Sequence, residues 1–264
     1  MRKTLTFVLA VALSAGSFTS RAQDSQMANH LALGVTLGLD GIGIEAALPI
    51  SPYVQAHAGY SIFPYTYKQD VNLGSVEVGG QVKNLDNTPL SATLWKGGSG
   101  KLLFDIFPGK TTPFHFTVGA YFGSGKFLHT QTDLSKVLNP ADYATLAIAY
   151  NQLKISTDPK GFVDLDAKMK MGSVVPYVGV GFGRAIKPGS RVRVTFDMGV
   201  LITGGMKIQA YNYVNLEGKA EPVIVTSKAL TDENGRQLDN GWVDKIAGIP
   251  VLPMLKLNVF VRLF

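Results

Sequence analysis

Cysteine is absent from the 264-residue chain. That excludes disulfide stapling, thiolate metal sites and lipid attachment through an N-terminal cysteine. Long apolar runs are also absent beyond the first residues: no later stretch approaches the ~20 residues that a transmembrane helix needs. Histidine occurs four times, at His30, His57, His115 and His129. The four are scattered without metal-ligand spacing, so neither a metal nor a cofactor is expected. The formal charge of +6 is mild and evenly spread, which argues against a nucleic-acid partner. The glycine-rich run at 179–183 (GVGFG) leads into another strand-like segment rather than a helix, so it does not read as a phosphate cradle.

What the chain does have begins at its N-terminus. Arg2 and Lys3 precede an apolar run from Leu5 to Ala15, and Ser20-Arg21-Ala22 offers a small-residue cleavage site before Gln23. The run is too short to span a bilayer. Residues 1–22 therefore read as a cleaved signal peptide, 23–30 as an N-terminal periplasmic segment and 31–264 as one β-barrel domain.

The periodicity of that domain is two. In 31–39, Leu31, Leu33, Val35, Leu37 and Leu39 alternate with Ala32, Gly34, Thr36 and Gly38, and Asp40-Gly41 signals a tight turn. The same grammar returns in 42–48, 53–63, 101–107, 114–123, 175–185, 191–203 and 253–264, giving eight candidate strands near the ~9–11 residues that cross a bilayer at a tilt. The connections 49–52, 108–113 and 186–190 are short, whereas 64–100, 124–174 and 204–252 are long. Long and short alternate strictly, with the Asp40-Gly41 hairpin standing where a fourth long loop would be; short turns in the periplasm and long loops outside are the asymmetry of outer-membrane barrels. The 29 glycines, many inside these segments, suit a narrow barrel whose lumen is crowded. The expected fold is thus all-β: an eight-stranded antiparallel up-and-down transmembrane β-barrel with three long extracellular loops, one containing a short helix.

That helix is read over Pro140 to Leu153, with Asn139 as its N-cap. A hairpin is read over 206–214 and 221–227, and a further strand over 162–170. These segments are expected to prolong the barrel wall or fold over its mouth.

Two stretches, SPYVQAHAGYSIFPY and VVPYVGVGFGRAIKPGSRVRVTFDMGV, carry aromatic-glycine strands leading into or out of short turns. On these the chain resembles the small OmpA-like outer-membrane β-barrel proteins, a mostly uncharacterised group among them, and the resemblance covers nearly the whole chain. It implies a fold and an outer-membrane address, not an activity. The C-terminus fits the group's pattern by half. Phe264 and Phe260 suit it, but Asn258 and Arg262 interrupt the row, and Leu257, Val259, Val261 and Leu263 form the apolar one. Either the odd row faces lipid or a bulge resets the register.

Assigning the most apolar row of each strand to lipid leaves Glu45, Gln55, His57, Lys101, Asp105, His115, Arg191, Arg193, Asp197 and Lys256 facing the lumen, with Thr195, Asn258 and Arg262 beside them. Parity sets Glu45 opposite Gln55 or His57, and His115 opposite or near Asp105. Arg184 falls on the apolar row close to a turn, where headgroups tolerate it. Tyr53, Phe63, Tyr65, Tyr67, Phe104, Phe114, Phe122, Tyr177 and Phe182 read as interfacial girdles.

Charges of both signs in a narrow lumen are costly unless paired, so an ion-pair plug is the leading reading. The expected function is that of an outer-membrane surface protein in a structural or interactive role, with lipid around it, no nucleic acid, a monomeric state and an external partner on the loops 64–100, 124–174 and 204–252. A narrow pore or small-molecule transport barrel is the alternative. A membrane-embedded lipid-modifying enzyme or protease ranks third, with His57 or His115 as its catalytic base. Both sit by the periplasmic turns, however, and not at the outer rim where substrate arrives. His129 near Ser124 and Asp133 is a grouping expected by chance in a polar loop. A soluble periplasmic β-protein is the alternative fold.

Overall fold

The structure is a computed structural model. It describes residues 30–263 apart from 73–74, 79–80, 85, 137–138, 140–147, 151–152, 188, 216–218 and 227–241. The expected signal peptide, most of the 23–30 segment and Phe264 lie outside the described residues.

Eight strands close into an antiparallel barrel. They are β1 (Ala32–Gly38), β2 (Gly41–Ser51), β3 (Val54–Ile62), β8 (Ser99–Ile106), β9 (Phe114–Gly123), β14 (Val174–Phe182), β15 (Val192–Ile202) and β18 (Val251–Arg262). Each pairs with the next in chain order, and β18 returns to β1, so the topology is up-and-down throughout. The eight barrel strands fall on the eight segments of alternating sequence. One boundary differs: β2 runs through Pro49 to Ser51 with an irregularity between them, and the turn is Pro52-Tyr53 rather than 49–52. Proline lacks an N–H, and a bulge is where a strand tolerates that. The shift sets Glu45 opposite Gly59, with His57 opposite Ala47 and Gln55 opposite Pro49. Across the next turn, Asp105 lies opposite Thr117.

The outer surface of the barrel is apolar on every strand. Leu33, Val35 and Leu37 of β1, Phe116 and Val118 of β9, and Leu255, Leu257, Val259 and Val261 of β18 are all exposed. Such a belt is far larger than the few hundred Å² that a soluble monomer shows to water. In β18 the odd row is outside and Phe260 is fully buried inside. Its pairing with β1 and β15 is uninterrupted, so no bulge resets the register.

The long connections are not loose. β4 (Thr66–Val71), β7 (Thr88–Leu94), β10 (Lys126–Asp133), β13 (Phe162–Met169), β16 (Met206–Asn215) and β17 (Lys219–Val225) form a six-stranded antiparallel sheet in the order β17-β16-β13-β10-β7-β4. The strand read over 162–170 is present in it, and so is the hairpin that starts at Met206, as β16 and β17. Several passages from barrel to sheet bend over a few residues at glycines with positive φ, including Gly98 at 71°, Gly125 at 68°, Gly172 at 78° and Gly205 at 99°. Backbone bonds continue across these bends, from Met169 N–H to Gly125 O and from Lys170 N–H to Gly205 O.

Two smaller hairpins complete the strands: β5 (Ser75–Val78) with β6 (Gln81–Asn84), and β11 (Ile148–Tyr150) with β12 (Leu153–Ile155). The helix read over Pro140–Leu153 is therefore corrected at its C-terminal end, where 148–150 and 153 are extended and paired; residues 140–147 lie outside the described set. The one helix among the described residues is α1 (Trp242–Ala247), in the last long connection.

Candidate functional site: the barrel lumen

Alternation aims one row of each barrel strand at the axis, so side chains from all eight strands meet in a narrow space. From the end with short turns, the first layer is a clamp. Arg184 donates to the carbonyls of Thr112 (2.9 Å), Pro52 (3.1 Å) and Gly109 (2.6 Å), and its guanidinium lies 3.7 Å from the Phe107 ring centre. This corrects the placement of Arg184 on the outer row. β14 ends at Phe182, and Gly183, with φ 110°, turns the chain so that Arg184 folds beneath the barrel. One residue thereby ties all three short turns together. Gln55 adds a bond to Ile186 O at 2.8 Å. Above the clamp, Ala32, Ala47, Ala185, Ile186 and Phe260 pack into an apolar layer.

The next layer is ionic. His57 Nε2 lies 2.8 Å from Asp105, and its Nδ1 lies 3.7 Å from Glu45. His115 Nε2 contacts Asp197 at 2.8 Å and Asp105 at 3.6 Å. Thr117 donates to Asp105, and Asn258 bridges Thr36, Thr195 and Asp197. Lys101 reaches Glu45 at 2.7 Å, Asp40 at 3.2 Å and Ser61 at 3.0 Å. Lys256 stands between Glu45 at 3.9 Å and Asp197 at 4.0 Å. All of these groups are buried. An unpaired ion here would lose several kcal/mol of hydration, so the value of the layer lies in its mutual pairing. Inward glycine makes room for it: a side chain on Gly181 would collide with His115 and Asp197, and one on Gly59 with Glu45.

Over the ionic layer lies a second apolar one. Trp95, Leu103, Tyr121, Tyr177, Leu201, Leu252 and Met254 pack together with Ala167, Met169 and Met206 from the sheet above. Trp95 crosses the mouth and donates its indole N–H to Leu39 O at 3.0 Å. Lys101 and Lys256 point at the Tyr121 and Tyr177 rings, each 5.8 Å from the ring centre.

Of the ten residues assigned to the lumen from sequence, Glu45, Gln55, His57, Lys101, Asp105, His115, Asp197 and Lys256 meet in these layers. Arg193 lies level with Phe260 and is partly exposed at the clamped end. Arg191 is corrected: it precedes β15, its side chain is exposed, and its carbonyl accepts the Arg262 N–H. Tyr177 is corrected from girdle to lumen, since it is 1% exposed. Asp40 was missed because it sits in the β1–β2 turn, where a polar residue is unremarked, yet its side chain turns inward.

Asp105, His115 and Asp197 bring three potential ligand atoms within 4.8 Å of one another. Their atoms are already engaged with each other, with His57, with Thr117 and with Asn258, which is the arrangement of a pairing network.

A second polar group lies outside the barrel, on the upper sheet. His129 Nδ1 bonds Asp166 at 2.7 Å, Lys126 reaches the same carboxylate at 2.7 Å, and the Tyr211 hydroxyl donates to it as well. Burial opposes ionisation of Asp166, but these three donors outweigh it and hold its carboxyl well below the usual range. Burial and the Asp166 carboxylate push the Tyr211 phenol up. Burial and Asp164 push Tyr213 up to about 12. His129 thus pairs with Asp166, not with Asp133, and Ser124 is bonded instead to Lys96 O. The Nε2 of His129 is buried 3.8 Å from the Asp164 carboxylate.

No protein-family profile matches the sequence, and no curated protein matches it. The solved structures similar to it include three outer-membrane proteins. CarO2 of Acinetobacter baumannii is 16% identical, covering 88% of this chain and 98% of that one, with a TM-score of 0.47. CarO of Acinetobacter baumannii is 18% identical over 87% and 96%, with a TM-score of 0.44. A major outer membrane protein from Thermus thermophilus is 13% identical over 88% and 98%, with a TM-score of 0.36. All three lie below a TM-score of 0.5, so the barrel assignment rests on the chain's own strand pairing.

Proposed function

We propose that the chain is exported behind a cleaved 1–22 signal peptide and inserts into the bacterial outer membrane as a monomeric OmpA-like barrel with a plugged lumen. Its role on this reading is structural or interactive, carried by the upper sheet and the rest of the segments 64–100, 124–174 and 204–252. The belt of exposed apolar side chains around all eight strands supports lipid as the surrounding medium. Short turns at one end and long connections at the other support the usual orientation, with the upper sheet outside the cell.

The observation that carries the plugged reading is the ionic layer sealed between two apolar ones. Glu45, Asp105 and Asp197 are compensated by Lys101, Lys256, His57 and His115, so a passing ion would have to break pairs that hold the barrel together. No catalytic role is assigned. The lumen histidines face carboxylates, and His129 Nε2 is enclosed.

Planar-bilayer recording of the purified protein tests the plug, alongside heat-modifiable migration in detergent gels as the check on barrel folding. A heat-modifiable protein that leaves the bilayer silent is the expected result. Steady conductance from the same material would replace the plug with a narrow pore.

A further inference from the structure

The connections at the end of the barrel opposite the clamp are unequal. Three of them carry the strands of the upper sheet, whereas β1 and β2 are joined by a bare turn at Leu39-Asp40. The mouth beside that hairpin is covered from the far side. Trp95, between β7 and β8, reaches over to donate its indole N–H to Leu39 O, and its ring meets Phe127 edge to face. Trp95 has a φ of 49°. A bulky residue is strained in that left-handed region, and the strain lasts only where the surroundings fix it. Here they do. The Trp95 N–H donates to Phe127 O, the Gly98 N–H to Trp95 O, the Ser124 hydroxyl to Lys96 O and the Tyr60 hydroxyl to Gly97 O. A rigid, strained turn thus aims the indole across the mouth. The indole has one donor, so a single hydrogen bond ties it to the hairpin.

What the indole covers is not wholly apolar. Ser99 and Tyr121 are each 2% exposed, and neither hydroxyl has a hydrogen-bond partner. With Trp95, Met169 and Val175 they line a cavity of about 20 Å³, room for one water and for no larger solute. An unpaired buried hydroxyl costs free energy, and a solute that bonds to it recovers that cost. Backbone strain and unpaired hydroxyls therefore both oppose the closed arrangement, and burial of the indole favours it. We propose that Trp95 is a gate: its indole swings off the Leu39 carbonyl and admits small hydrogen-bonding solutes to Ser99 and Tyr121, while the ionic layer stays shut. The gate rests on the plugged reading above, because it regulates access to the space over the plug.

The chain has no cysteine, so one introduced by Ser99→Cys reports on the gate in the full-length protein in detergent. The probe is methyl methanethiosulfonate, a small neutral thiol reagent. With Trp95 intact, labelling should be slow and should level off as reagent is raised, because opening limits it. Adding Trp95→Ala should speed labelling about tenfold or more and restore proportionality to reagent. Leu103→Cys, deeper on the same row of β8, should stay protected in both backgrounds. Heat-modifiable migration checks that each variant is folded. If Trp95→Ala fails that check, Trp95→Phe, which keeps a ring without the donor, should label at an intermediate rate. Equal labelling with and without the indole would overturn the gate. So would complete protection of Ser99→Cys by intact Trp95, which makes the residue a fixed seal. Rapid labelling at Leu103→Cys would show the whole cap coming apart and would overturn it too. Steady conductance of the parent in planar bilayers would sink the plug, a separate failure read without any cysteine.

Discussion

The barrel and the sheet above it are built from the same chain passages, yet they face opposite ways. In β9 the inward row is His115 and Thr117 and the outward row is Phe116 and Val118. A few residues later, across Gly125, β10 packs Leu128 against the apolar cap and sets His129 on the opposite face, where it pairs with Asp166. β14 and β13 show the same reversal, and so do β15 and β16, where Ile208 and Ala210 are buried and Lys207 is exposed. A strand bathed in lipid must put its apolar row outside, and one bathed in water must put it inside. On the proposed membrane-barrel reading, the ring of bends is where the solvent changes, and the inversion marks the membrane boundary in the strand pattern.

The largest expected effect lies in the lumen. Asp105→Ala removes the carboxylate shared by His57, His115 and Thr117, and breaking a buried charge network of this kind costs about 3–5 kcal/mol. The denaturant midpoint for loss of heat-modifiable migration should fall accordingly. Removing Asp164, half-buried on the upper sheet, should move that midpoint far less. On the outer surface, Val118→Arg places a charge midway along β9 and should cost about 2–4 kcal/mol in lipid. The same change at Gln131, beyond the inversion, should be near neutral in the same unfolding assay. Equal costs at the two positions would remove the boundary.

Acidity separates the regions more finely. The Asp166 carboxyl is held well below its ordinary 3.8, so its contribution to the upper sheet is full above that pH and is lost progressively as pH falls from there through its depressed folded value. Protease nicking of the connections 124–174 and 204–252 should increase below about pH 4 while the barrel stays intact, and Asp166→Asn should flatten that dependence. The smallest effect is at the alkaline end. Tyr213 keeps its proton to about 12, so its stabilising share is full below the ordinary value of 10 and is lost as pH rises from there to 12. Tyr213→Phe should remove that slope, read by the same proteolysis.

The eight barrel strands were legible because an apolar outer face and a packed lumen enforce period-two alternation with few exceptions, as the exposed Leu33, Val35, Leu37 row shows. The upper sheet was legible only in pieces. Strands such as β7 and β10 mix Thr, Ser and Gln with apolar residues, and pairing across β4, β7 and β10 joins segments far apart in the chain. Burial of Glu45, His57, Lys101, Asp105, His115, Asp197 and Lys256 followed from parity alone. Parity failed where a strand ended: Arg191 fell into the turn before β15, and Gly183 swung Arg184 beneath the barrel. Asp40 escaped notice because a turn aspartate usually faces solvent, and Tyr177 because aromatic residues near a strand end usually mark an interface. The 140–153 helix rested on local helical pattern, whereas 148–150 and 153–155 pair as strands.

The absence of native cysteine permits the most direct test. Single cysteines placed at Val118, Phe122, Gln131 and Lys207 can carry a fluorophore in protein reconstituted with acyl-chain-brominated lipid. Strong quenching is expected at Val118, weaker quenching at Phe122 and little at Gln131 or Lys207. Quenching that is equal at all four positions, or absent at Val118, would contradict the membrane boundary.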